Sequence, residues 1–461
     1  MKRVLFFLSV ITFNGVMFGQ TLSSYSTVSV DFSDNEVYGS GIYYQKTIGM
    51  YPQMTISCFD ATYNGDVTGF LSISSDAIAC KTYRIDAQFL IRDIVQHKFS
   101  DTVYFCGTKR LQNPDDTIGV MGFFVVGQTG TINGFYYCEI NEVQELTDIV
   151  SIQYPDYCMM ASIGKKRNSN LNYDYFFTYG YKNPVNNAGV YYIAPLTHNS
   201  IPFDLIQTDD FVTILSKNDM NNTIYFRKFN KYDFNDAICD DVNGFLPVET
   251  VIFGPYSSFK GCDSQENQEN EIVIAYVGFD EYFTWHTYVK TIDLETNMMT
   301  NAQSHKSFDK NDLWGVTYLA NSDEIAVLEL FEPNYQYFNS TAVIFHPNKT
   351  QGYTSTELYG RYLDGCISIS RLYESTSSVS YFLCGSVGVG GRRYFAHDAG
   401  FLMADNCIVS NDIEIEIDDN IEFEVDIDLL VYDQYFVNFN GILPSYSANI
   451  LFNPCYSLKN K

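Results

Sequence analysis

TVYFCGT, Thr102–Thr108, returns 278 positions later as SYFLCGS, Ser380–Ser386. Each has two aromatic or apolar residues, then Cys-Gly, then a hydroxyl residue. Sixteen residues after Cys106 stands Gly122, followed by Phe123 and Phe124; sixteen after Cys384 stands Gly400, followed by Phe401 and Leu402. Aromatic and β-branched residues favour pleated, half-buried surfaces, so each copy reads as an antiparallel hairpin, written twice in one internal register.

Searching outward in that register finds related strands. They are MTISCFD (Met54–Asp60), YFFTYGY (Tyr175–Tyr181), TIYFRKF (Thr223–Phe229), IVIAYVGF (Ile272–Phe279) and EIAVLELF (Glu324–Phe331). With the two hairpins they are centred 48 to 55 residues apart, save one interval of 73 after Cys106. That interval is expected to hold a long loop near KKRNSNLNYD or an extra strand such as GFYYCEI (Gly134–Ile140). Further strands precede several of these centres: QFLIRDIV, FVTILSK, LWGVTYLA and CISISRL. A unit of three or four antiparallel strands in about fifty residues has the content of one propeller blade. Such a sheet buries both faces only against neighbours around a ring. The expected fold is all-β, a β-propeller over residues 20–410, most simply seven-bladed, with six or eight blades as alternatives and a β-sandwich or solenoid as the competing architecture.

The ends read differently. MKRVLFFLSVITFNGVMFGQT has a charged start at Lys2 and Arg3, an apolar core too short to span a bilayer, and a cleavage point near Gly19. Residues 1–19 are therefore expected to be a signal peptide, with no membrane span in the mature chain. At the other end, from Asp412, DIEIEIDDNIEFEVDID alternates acids and apolar residues about Asp418-Asp419-Asn420. Residues 411–461 are expected to form an appended acidic hairpin outside the ring. Its acids spread along a line, whereas calcium needs six to eight oxygens at one point. Calcium is possible but no motif supports it, and no other cofactor is expected.

The N-terminal STVSVDF (Ser26–Phe32) alternates without a partner upstream. It is expected to close the ring in the blade of the Ser380–Asn406 hairpin, because a cut propeller otherwise exposes raw edges.

Cleavage removes two cations and leaves 26 Lys and Arg against 55 Asp and Glu, a formal charge of −29. Such a surface repels phosphate backbones and anionic membranes, which excludes nucleic acid as the expected partner. Eleven cysteines are an odd number for an exported disulfide scaffold. Cys106, Cys138, Cys158 and Cys384 lie in aromatic strand-like runs, where Cys serves as a small buried hydrophobe. No Cys-x-x-Cys occurs, and no metal centre is expected.

The repeat spacing resembles that of the secreted β-propeller proteins of Gram-negative bacteria. It does so without a WD dipeptide or YWTD, and with only one Gly-Gly before an aromatic (Gly390, Gly391, Tyr394) where kelch blades show several. The resemblance implies an architecture and a compartment, periplasmic, cell-surface or secreted, and no functional residues.

Chemistry is sparse. The six His are scattered, and neither a Gly-x-Ser-x-Gly elbow nor a His-Glu-x-x-His helix appears. SKNDMNNTIYF, Ser216–Phe226, falls short of a sialidase-type Asp box and reads as a polar turn. GSVGVGGRRYF, Gly385–Phe395, lies between strands, so it reads as a hairpin loop and not as a phosphate cradle. Its Arg392 and Arg393 match Lys109 and Arg110 in the other hairpin. These pairs are candidate contacts for a carboxylate or acidic glycan, with turn polarity as the plainer reading. Trp285 and His286 are a candidate aromatic platform, with packing the plainer reading for a Trp inside a strand. Catalytic residues are not identifiable. The expected protein is a monomeric, non-catalytic binder of an extracellular or periplasmic protein or glycan. The alternative is a secreted carbohydrate-active hydrolase using channel carboxylates.

Overall fold

The computed structural model describes the chain between residues 26 and 438 apart from several connecting loops, with side-chain surroundings between residues 56 and 345. Its described strands form seven antiparallel sheets of four or five strands. In chain order their innermost strands are Gln45–Met50, Phe89–Gln96, Glu145–Gln153, Ile201–Gln207, Phe259–Asp263, Asn311–Leu319 and Leu363–Arg371. Each innermost strand packs against the next, and the seventh packs against the first, so the sheets close into a ring. This is a β-propeller, and its sheets are numbered below as blades one to seven.

The hydrophobic runs follow from that ring. Both faces of each blade meet a neighbour, so consecutive residues of one strand enter different cores. Val103 and Phe105 join Ile56, Cys58 and Leu71 between blades one and two. Tyr104 and Cys106 join Met160 and Ile149 between blades two and three. The pattern repeats between blades three and four around Phe177 and Phe229, whose rings stack at 4.7 Å. Further cores join blades four and five, and five and six. TVYFCGT is therefore apolar at nearly every position because it serves two cores at once.

The 73-residue interval has a simple cause. The strands chosen at Tyr175 and Thr223 are the third strands of their blades, Tyr173–Lys182 and Thr223–Asn230. The strands equivalent to Thr102–Arg110 are the second ones, Cys158–Arg167 and Phe211–Asn218. Burial on both faces makes neighbouring strands of a blade look alike, and the register slipped by one strand. KKR ends the second strand of blade three, and GFYYCEI lies in the outer strand of blade two, Ile132–Ile140. In the SKNDMNNTIYF stretch, Asn218 and Thr223 face one another where two strands meet.

The N-terminal strand lies where ring closure calls for it. Ser26–Val30 pairs antiparallel with Arg392–Phe401, Val28 opposite His397, as the outer strand of blade seven. The tail departs from the expected free-standing hairpin. Its described strands, Phe423–Glu424, Leu430–Tyr435 and Val437–Asn438, each extend the outer edge of a blade: four, three and two in turn. Before them Ile408–Ser410 does the same for blade six. The tail thus meets the blades in the reverse of chain order. Edge amides pair with any available strand, which favours this arrangement over a hairpin standing alone. The Asp418-Asp419-Asn420 turn lies outside the described residues, as do residues 1–19, the expected signal peptide.

Among the described residues, Cys58, Cys106, Cys138 and Cys158 are buried and Cys262 is half-buried. Burial pushes the Cys138 thiol up to about 12 and that of Cys106 well above its ordinary value, so both stay protonated and inert. Cys384 occupies the place in blade seven that Cys106 holds in blade two, and its side chain lies outside the described surroundings.

Candidate recognition face

Strand order fixes which loops share a face. Within a blade each inner strand starts at one rim of the ring, and the alternation of antiparallel strands returns the second turn to that same rim. This rim, the entry face, carries every second-to-third turn and every inter-blade link. The opposite face carries the other turns.

All six sequence-predicted contact residues lie at the entry face, but on three blades. Lys109 and Arg110 end a second strand of blade two. Trp285 and His286 begin the third strand of blade five. Arg392 and Arg393 begin the third strand of blade seven. The Gly-rich stretch is therefore less of a loop than expected. Val389 pairs with Arg392 and Gly388 with Arg393, because alternating Val387 and Val389 continue the strand through the glycines.

Local contacts occupy several of these side chains. Lys109 Nζ is ion-paired with Glu139, lies 3.2 Å from the Tyr137 hydroxyl, and sits over the Phe89 and Tyr137 rings at 5.9 and 5.3 Å. Arg110 donates from Nη1 to the Val67 carbonyl of blade one at 3.2 Å. Trp285 packs against the core between blades five and six, and the His286 ring lies 5.7 Å from that of Tyr288.

A charged network invisible to motif reading crosses three blades at the same rim. Arg92 pairs through Nη1 with Asp60 of blade one, and through Nε with Glu145 of blade three at 2.7 Å. Glu145 also takes Lys165 at 3.0 Å. Burial pushes Asp60 up to about 6, outweighing the lowering by the Arg92 guanidinium. Its Oδ1 is buried without a hydrogen-bond partner among the described residues. Burial also opposes ionisation of Glu145, but Lys165 and Arg92 outweigh it and hold that carboxyl below its ordinary value.

A second set of carboxylates repeats around the ring. In blades two, three and four the inner strand carries a β-bulge, with Asp93, Asp148 and Asp204 just beyond it. Asp93 accepts from the Ile94 amide at 2.8 Å and from the Ile149 amide of the next blade at 2.9 Å. Asp148 accepts from Ile149 at 2.9 Å and from Leu205 of the next blade at 2.6 Å. Asp204 accepts from Gly261 of blade five at 2.7 Å. The sequence signal was available: IRDIV, LTDIV and PFDLI place Asp before two aliphatic residues at intervals of 55 and 56. These carboxylates bind backbone amides and join blade to blade, a structural role.

Exposed apolar side chains complete the face. Five large ones stand out among the described residues: Leu111, Tyr173, Ile201, Tyr282 and Met298. Leu111, Tyr173 and Tyr282 belong to second turns and Ile201 opens an inner strand, so four of the five are on the entry face. Met298 alone opens an outer strand at the opposite face. No group of three metal-ligating side chains comes together among the described residues, and no helix there is long and apolar enough to cross a membrane.

No protein-family model matches the chain, and no curated protein matches it. Among solved structures it is similar to the WD40 domain of SCAP from fission yeast. The two are 10% identical with a TM-score of 0.35, over 82% of this chain and 98% of that one. The propeller assignment rests on the sheet order and ring closure of this chain and takes nothing from that superposition.

Proposed function

We propose that the chain is an exported, non-catalytic binding protein whose entry face presents its turns to a protein or glycan partner outside the cytoplasm. The observation that carries this reading is that, among the described residues, four of the five exposed large apolar ones gather on one rim. Single exposed apolar residues are ordinary on a surface, but a one-sided set is what a recognition surface needs. The leader-like start of the sequence supports export, and the charge of −29 opposes nucleic acid. The hydrolase reading is weaker. Three carboxylates on inner strands, Asp93, Asp148 and Asp204, are occupied with main-chain amides. Asp60, whose raised pKa suits a general acid, is only 1% exposed.

The test is to present the mature protein to glycan and protein arrays beside two variants. Ile201→Asp with Tyr282→Ser alters the entry face, and Met298→Ser alters the other. Binding that the first variant loses and the second keeps is the expected result. Loss with Met298→Ser alone, or turnover of an arrayed glycan, overturns the proposal.

A further inference from the structure

The second turn of blade three differs from every other stretch of the chain. Lys165-Lys166-Arg167 is the only run of three consecutive cations in a sequence with 55 acids. It ends the strand Cys158–Arg167, and Tyr173 opens the next strand, 48% exposed. Lys165 is held in place, bonded to Glu145 and lying 5.2 Å over the Tyr173 ring. Lys166 and Arg167 are exposed, and neither forms an ion pair among the described residues. On the neighbouring second turn, Leu111 of blade two is 46% exposed.

The acids nearby offset only part of this run. Glu145 is engaged by Arg92 and Lys165; Asp174, which accepts from Asn168 at 3.0 Å, stands opposite Lys166 in the strand register, whereas Arg167 stands opposite Tyr173. The amides of Asn170 and Asn172 donate to Asn168 Oδ1 at 3.0 and 3.1 Å, Asx-type bonds that hold the turn in shape. Two exposed cations therefore stand on a fixed turn beside an exposed tyrosine, with an exposed leucine on the second turn of the adjacent blade. Tyr and Arg are the residues that most often anchor protein interfaces.

From this juxtaposition we infer that the entry face of blades two and three is a docking site for an acidic protein segment that also carries apolar side chains. The inference rests on the recognition-face reading and narrows it to one partner class. Charge complementarity to Lys166 and Arg167 selects carboxylates. Leu111, and Ile201 one blade further on, select protein over sugar, because an aliphatic side chain gains from burying apolar surface and offers a hydroxylated ring nothing to stack on. The net charge does not forbid an acidic partner. At physiological salt the Debye length is about 8 Å, so distant carboxylates are screened while contact pairs persist.

The experiment uses the mature full-length protein and three labelled probes at about 0.15 M salt. They are a random copolymer of glutamate and tyrosine, polyglutamate, and chondroitin sulfate. Fluorescence anisotropy should show the copolymer bound best. Lys166→Glu with Arg167→Glu should weaken it roughly tenfold, the scale of losing two contact charges, and Tyr173→Ser by a smaller factor. Met298→Glu, which adds one negative charge on the opposite face, should leave binding unchanged. Copolymer binding indifferent to the Lys166 and Arg167 reversals overturns the inference, and so does equal loss with Met298→Glu. Stronger binding of chondroitin sulfate than of the copolymer also overturns it, and leaves the recognition-face proposal standing with a glycan partner. That proposal itself fails only on the array test with the Ile201 and Tyr282 variants.

Discussion

Gly107 explains why the hairpin is written Cys-Gly. A Cβ on Gly107 would run into the backbone of Leu90, one strand inward, where that strand approaches its bulge before Asp93. Gly164 stands in the same place in blade three, and its Cβ would meet the Glu145 carbonyl at 2.7 Å. Gly385 likewise pairs with Cys366 beside an irregularity in blade seven. The glycine admits the bulged strand, and the bulge aims the aspartate or its counterpart at the next blade. Asp60 carries a different consequence. Its folded pKa of about 6 lies above the ordinary carboxylate value, so the stability it contributes is full in acid and is lost as pH rises through about 6. Asp60→Asn cannot ionise, so relative to wild type it should be more stable at pH 7 than at pH 4.5, judged by denaturant midpoints. A difference that stays constant or reverses would show that Arg92 dominates the site and burial does not. At this scale the sequence displayed the glycine and hid the ion network. Asp60, Arg92, Glu145 and Lys165 come from three blades, and nothing in their local context marks them as partners.

At the scale of the strand, the aspartate clamps are coupled through one amide. Ile149 N donates to both Asp93 and Asp148, while Ile94 N and Leu205 N each reach only one of those two carboxylates. Asp93→Ala or Asp148→Ala should therefore each cost about 2 to 5 kcal/mol, the range for stranding a buried donor and losing charged hydrogen bonds. The double variant should lose more than the two combined, because only then is Ile149 N left bare. Equilibrium denaturation of the three variants decides it; simple additivity would mean that Ile149 N does not depend on this pair. The strands themselves were legible from alternating and continuous apolar runs. Their order within a blade was not, because second and third strands are both buried on two sides and share one pattern. The Asp-Ile-Val and Asp-Leu-Ile repeats mark inner strands and would have fixed the register.

The whole molecule is a ring assembled from both ends of the chain. Its N-terminal strand completes blade seven, and its tail strands extend the outer edges of blades six, four, three and two. The first was readable, since an alternating strand without a partner and a blade lacking its outer strand imply one another. The second was not. Alternating acid and apolar residues describe a strand with two unlike faces, and they say nothing about which edge that strand meets. The entry face depends on closure, because only a closed ring brings the second turns of all blades to one rim. The direct measurement is the thermal unfolding of the chain from residue 20 onward against the same chain lacking residues 20–32. Removing the outer strand of blade seven should lower Tm by roughly 5 °C or more, since five paired residues and one blade edge are lost. Identical, equally cooperative melting of the two chains would contradict a ring closed by its N-terminus.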